Sequence, residues 1–101
     1  MMVEYTNQKN NGEILQVEVK KAGVCYVPYY EEMRNRYTFK SPITNTVWVV
    51  TPAGWSRTYQ TQWWNADFKI EGLNGICLGT YGHTLRGAVI SALKSEQGVY
   101  L

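Results

Sequence analysis

His83 is the only histidine in the chain, which excludes a two-histidine metal site and with it most zinc hydrolases. Cys77 lies six residues before it, and a thiol beside an imidazole has the residue types of a nucleophile and its base. Cys77, however, sits in the apolar run from Ile76 to Tyr81, where a thiol packs as a small hydrophobe. His83 stands at the start of a helical pattern, in a capping position. The pair therefore reads as structural. Glu31 and Glu32 are adjacent, so on a strand they point to opposite faces and cannot share acid–base work. Gly72, Gly75, Gly79 and Gly82 match neither GxGxxG nor GxxxxGK, so no phosphate-cradling loop is expected. No CxxC pair or Cys/His cluster suggests a metal. The expectation is a non-enzyme without cofactor or metal.

One block rises above this background. Residues 1 to 32 carry Glu4, Glu13, Glu18, Glu31 and Glu32 against Lys9, Lys20 and Lys21. From Met33 to Ala66 there is no acid, only Arg34, Arg36, Lys40 and Arg57. Tyr37, Phe39, Trp48, Trp55, Tyr59, Trp63 and Trp64 interleave with these cations. Trp, Tyr and Arg dominate the energetic centres of protein interfaces. On a sheet face, aromatics also stack on unpaired bases while cations meet phosphates. The competing use is core packing, and Trp48 is expected inside. Arg34, Arg36, Lys40, Trp55, Arg57, Tyr59, Trp63 and Trp64 are the candidate partner-binding residues.

The elements that must position this block are mainly strands. Met1 to Gly12 is polar and without periodicity, and reads as a flexible tail. Leu15, Val17 and Val19 alternate with polar residues, the period-two mark of a half-buried strand. Ala22-Gly23 reads as a turn into a second strand over Val24 to Tyr30, forming a hairpin that Pro28 places at an edge. Tyr37 to Lys40 is a short strand, and Thr46 to Thr51 a β-branched one. Thr51-Pro52-Ala53-Gly54 has the residue order of a type I turn, followed by a strand from Trp55 to Thr61. Asn74-Gly75 is a hairpin signal between Phe68–Leu73 and Ile76–Tyr81; a two-residue turn there sets Gly79 opposite Ile70. Leu85, Ala88, Val89, Ala92 and Leu93 then fall on one helical stripe, with His83 or Thr84 as cap and Gly98 as stop. On the opposite side Arg86, Ile90 and Lys94 form an exposed line.

The expected fold is therefore α+β: an antiparallel sheet of about five to six short strands with one C-terminal amphipathic helix packed on one face. Residues 13–101 form the single domain and 1–12 the tail. With 45% hydrophobic and 18% charged residues over 101 positions, the chain is globular and can bury one core. No apolar run approaches the roughly 18 residues that span a bilayer, and the polar start is no secretory signal. A cytoplasmic setting, with Cys25 and Cys77 reduced, is the expectation.

Gly75-Ile76-Cys77-Leu78-Gly79-Thr80-Tyr81 followed by Thr84-Leu85 and Ala88 is similar to the strand-to-helix ending of AP2-type and integrase arm-type DNA-binding domains. The likeness covers about a quarter of the chain, and Lys69 and Glu71 stand where those domains carry a run of Arg and Trp. In size and composition the chain also resembles small phage-encoded accessory proteins, including inhibitors of host defence systems. The leading expectation is a small non-catalytic protein that binds a macromolecular partner through protein–protein contacts, as an inhibitor or modulator of a host complex. Direct nucleic-acid binding by the basic aromatic face is the alternative, and edge strands near Pro28 and Tyr37 are candidates for homodimer pairing.

Overall fold

A computed structural model describes residues 1–69 and 77–98. Among the described residues seven strands and one α-helix run in the order β1 (Met2–Asn7), β2 (Glu13–Glu18), β3 (Lys20–Val27), β4 (Glu32–Lys40), β5 (Val47–Ser56), β6 (Thr61–Lys69), β7 (Cys77–Gly82) and α1 (Leu85–Glu96). β1 and β2 form a two-stranded antiparallel sheet. The other five form an antiparallel sheet in the order β3-β4-β5-β6-β7. The fold is α+β with the C-terminal helix against the sheet, as the sequence patterns lead one to expect.

Several local expectations are corrected. Residues 2–7 are a strand and not a loose tail. Val3, Tyr5 and Asn7 point inward while Met2, Glu4 and Thr6 face out. The hairpin is β1–β2, closed by a 3-10 turn at Gln8–Asn10 whose Asn7 cap accepts from the Lys9 amide. Ala22-Gly23 is a bulge inside β3 and not a turn. Gly23 sits there at φ +78°, a conformation that favours glycine, and Arg36 Nε donates to the Ala22 carbonyl at 2.9 Å. The turn out of β3 comes at Pro28–Glu31, where Tyr30 and Glu31 amides both donate to the Val27 carbonyl. Tyr37 is on β4, which lies between β3 and β5 and is no edge.

β5 runs through Pro52 instead of turning there. β4 pairs with β5 only from Val47 to Val50, so the amide that Pro52 lacks has no β4 partner to miss. A bulge between Pro52 and Gly54 absorbs the irregularity. Trp55 and Ser56 complete β5, and Arg57–Gln60 turn into β6. β6 and β7 pair Phe68 with Leu78 and Asp67 with Gly79, three positions away from the register a two-residue Asn74-Gly75 turn imposes. That turn itself lies outside the described residues. β3 and β7 are opposite edges of the sheet, and Cys25 on β3 is a free, partly buried thiol.

One core holds the layers together. Tyr37, Phe39, Trp48, Val50, Trp64, Ala66 and Phe68 lie on one face of the large sheet by register. They pack with Ala88, Val89, Ala92 and Leu93 of α1 and with Val3, Tyr5 and Val17 of the hairpin. Thr84 caps α1, its Oγ accepting from the Gly87 amide at 2.8 Å. Gly82 lets the helix approach: a Cβ there would stand 2.5 Å from the Gly87 carbonyl carbon and 2.8 Å from Ala88 Cα. At the other end Glu96 accepts from Trp48 Nε1 at 2.6 Å and from the buried Ser41 hydroxyl at 2.7 Å. Gln97 accepts from the Tyr5 hydroxyl and donates to Asn7 Oδ1 at 2.6 Å.

Gly82→Ala pushes a methyl into helix backbone that cannot give way, so it should cost about 1–3 kcal/mol or more in urea unfolding. An unchanged midpoint would show that the helix does not sit this close. Burial, and then the Glu96 carboxylate, hold the Tyr5 phenol above its ordinary range. The Tyr5 contribution is therefore complete below the unfolded tyrosine pKa of about 10 and lost as pH rises through the higher folded value. Tyr5→Phe should flatten the alkaline limb of the melting-temperature profile while lowering stability near neutral pH.

Candidate functional site

α1 and the β1–β2 hairpin cover one face of the five-stranded sheet. Among the described residues no element packs on the other. By alternation and register that open face carries Lys20, Thr38, Lys40, Val47, Val49, Trp63, Asn65, Asp67 and Tyr81.

Its most ordered feature is a band of rings across one end. Tyr30 and Tyr29, in the turn after β3, meet edge to face with centroids 5.0 Å apart. Tyr29 and Trp63 then close over Gly54. A Cβ at that position would lie 3.0 Å from Trp63 Nε1 and 3.2 Å from the Tyr29 ring. Trp63 meets Tyr81 edge to face at 5.8 Å, Tyr81 meets His83 at 6.2 Å, and His83 packs on Tyr59 at 4.2 Å. Arg34 finishes the band, its guanidinium 3.8 Å over the Tyr30 ring. Tyr29, Tyr59 and Tyr81 are 59%, 64% and 51% exposed. Each edge-to-face pair is worth about 0.5–1.5 kcal/mol beyond its burial, so the rings support one another although solvent reaches them.

The eight sequence candidates divide. Tyr59 and Trp63 belong to the band, and Arg34 caps it. Arg57 lies exposed on the adjoining β5–β6 turn. Trp64 points the opposite way, packing edge to face on Tyr37 against the core. Trp55 is 45% exposed but pairs with Gln62 and shares the side of Trp64. Lys40 is at the far end of the open face, beside Val47. Arg36 is exposed and tethered to the Ala22 carbonyl. Arg34 also pairs with Glu32 and donates to Gln62 at 3.4 Å, so its charge is largely answered.

Tyr29, Tyr81 and His83 were not among the candidates. Tyr81 was within reach of strand alternation in β7. Tyr29 joins through the shape of a turn, and His83 through a ring contact, neither of which has a local sequence mark. His83 does not cap α1; Thr84 does, and the imidazole is held between two tyrosines. Among the described residues no group of three His, Cys, Asp or Glu side chains could hold a metal ion, and no helix is long and apolar enough to cross a membrane. Asp67, half-buried on the open face, has its carboxyl pushed up by burial.

Comparison with protein-family models, with curated proteins and with solved structures finds no match.

Gly54→Val forces Tyr29 and Trp63 apart at the position they cover. Its expected signature is a changed Trp fluorescence spectrum and near-ultraviolet circular dichroism, with unfolding stability lowered by about 1–3 kcal/mol. Unchanged spectra would mean that the two rings do not meet there.

Proposed function

We propose that this chain is a non-catalytic binding protein that seats a protein partner on the aromatic band Tyr29–Trp63–Tyr81–His83–Tyr59. The band is the single observation that carries this reading. Large rings lie in the open, locked against one another, so little side-chain freedom remains to be lost on association. Aromatic residues with a nearby arginine are the usual energetic centres of protein interfaces. A regulatory role, as inhibitor or modulator of a larger host complex in the cytoplasm, fits a small domain whose distinctive surface is adhesive and whose His83 is occupied by tyrosine rings.

Direct binding of single-stranded nucleic acid is the second reading. Trp63 and Tyr81 offer stacking surface on the same face as Lys20 and Lys40. Against it, Arg34 is paired with Glu32, Glu18 stands beside Lys20 and Asp67 lies on the same face, which lowers the net positive charge a phosphate chain would meet.

Affinity capture from a lysate of the source or host cell, in 0.15 M and 0.5 M salt, separates the readings. Wild-type protein should retain a protein partner at both salts, and Tyr59→Ala with Trp63→Ala should release it at least tenfold more readily while melting within a few degrees of wild type. Retention unaffected by the double substitution would sink the choice of surface. Bound material that is nucleic acid, and that is retained at 0.15 M but lost at 0.5 M salt as phosphate contacts are, would replace it with the second reading.

A further inference from the structure

The open face has a second feature at the end away from the aromatic band. Glu18, Lys20, Thr38, Phe39, Lys40 and Val47 line a cleft of about 340 Å³. Lys20 pairs with Thr38 across β3 and β4, and Lys40 is two residues further along β4, beside Val47 of β5. The two lysines are therefore diagonal neighbours on one face, with backbones about 7–8 Å apart. Glu18 approaches Lys20 at 3.9 Å, with both side chains more than half exposed, a pairing that is worth little. Among the described residues Lys40 has no carboxylate partner. The cleft thus combines two ammonium groups and one carboxylate with apolar wall from Val47. That combination suits a carboxylate on a short apolar stem.

Register fixes the spacing between cleft and band. Val49 stands opposite Asp67, Val47 lies two residues outward, and Trp63 lies four residues back along β6. Six residue steps, about 20 Å, separate the two features, and the face between them holds Val49, Thr51, Asn65 and Asp67. Asp67 in the middle would repel an acid placed over it, so an acidic group is favoured only at the lysine end.

We infer that the partner presents to this face an extended segment that is acidic at one end only. An aromatic or aliphatic anchor of that segment rests on the Trp63–Tyr81 band, and a Glu or Asp about six residues away enters the Lys20/Lys40 cleft. The inference rests on the protein-binding reading above and adds the chemistry of the partner to it. Charge complementarity carries it: the cleft has a surplus of ammonium groups, and the centre of the face already holds a carboxyl.

The test uses fluorescein-labelled twelve-residue peptides and fluorescence anisotropy with the full chain. One peptide has a Trp-Leu anchor and an Asp-Glu pair six residues on. A second has Asn-Gln in place of the acids, and a twelve-nucleotide oligothymidylate is the third probe. The acidic peptide should bind at least tenfold more tightly than its Asn-Gln counterpart. Lys20→Gln with Lys40→Gln should abolish that advantage, and Trp63→Ala should weaken both peptides to the same degree. Equal binding of the two peptides, survival of the advantage in the double-lysine variant, or no peptide binding at all overturns the inference. Tighter binding of the oligothymidylate overturns it in favour of nucleic acid. The protein-binding reading fails separately, when capture from lysate is indifferent to Tyr59→Ala with Trp63→Ala.

Discussion

The arrangement depends on the last turn of α1. A carboxylate at a helix C-terminus faces the negative end of the helix dipole and is disfavoured there. Glu96 is nonetheless placed at that position, because two donors, the Trp48 indole of β5 and the Ser41 hydroxyl just past β4, converge on it. Ser41 in turn accepts from the amides of Ile43 and Thr44 and so shapes the β4–β5 connection. The next residue, Gln97, reaches the other sheet through Tyr5 and Asn7. Two consecutive side chains therefore tie the helix to both sheets. A buried indole N–H and a buried hydroxyl left without acceptors would each carry a desolvation penalty of about 1–3 kcal/mol, so this junction specifies where the helix ends and how the hairpin docks.

A fold closed in this way has one covering layer for one face. Twelve helical residues and a two-stranded hairpin are enough to seal Trp48, Val50 and Ala66, and nothing described remains for the reverse side. The chain carries more rings than that single core takes in. Within it Phe39 lies parallel to Trp48 and Phe68 meets Trp48 edge to face, while Tyr29, Trp63, Tyr81 and Tyr59 assemble on the uncovered side. The functional reading grows from this asymmetry.

How much of this was legible in the sequence follows from how local each determinant is. The stripe of α1, its Thr84 cap and the β-branched centre of β5 are written in consecutive residues and are found where the patterns put them. β1 was missed because Asn7, a polar residue, occupies an inward position and hides the alternation of Val3 and Tyr5. Ala22-Gly23 and Thr51–Gly54 carry the composition of turns, but a bulge needs the same glycine conformations and close approaches, and only the neighbouring strand decides between them. Glu96 and Gln97 gave no signal, since their partners lie 48 to 92 residues away. In the candidate surface, residue type pointed to Tyr59 and Trp63. The bulge in β5 set Trp55 on the side of Trp64, and the pairing of turns brought in Tyr29 and His83.

The kink in β3 has a consequence for how these molecules meet. A sheet lengthens sideways when its rim offers an unbroken row of amides and carbonyls to an incoming chain. On β3 the row is out of step at Ala22-Gly23, one of its carbonyls is already claimed by Arg36, and Lys20 and Lys21 bring like charges to any second copy. Recruitment of a neighbour's backbone along this rim is discouraged by geometry and by repulsion together. A second copy that approaches along β3 therefore meets neither a regular ladder nor a neutral one.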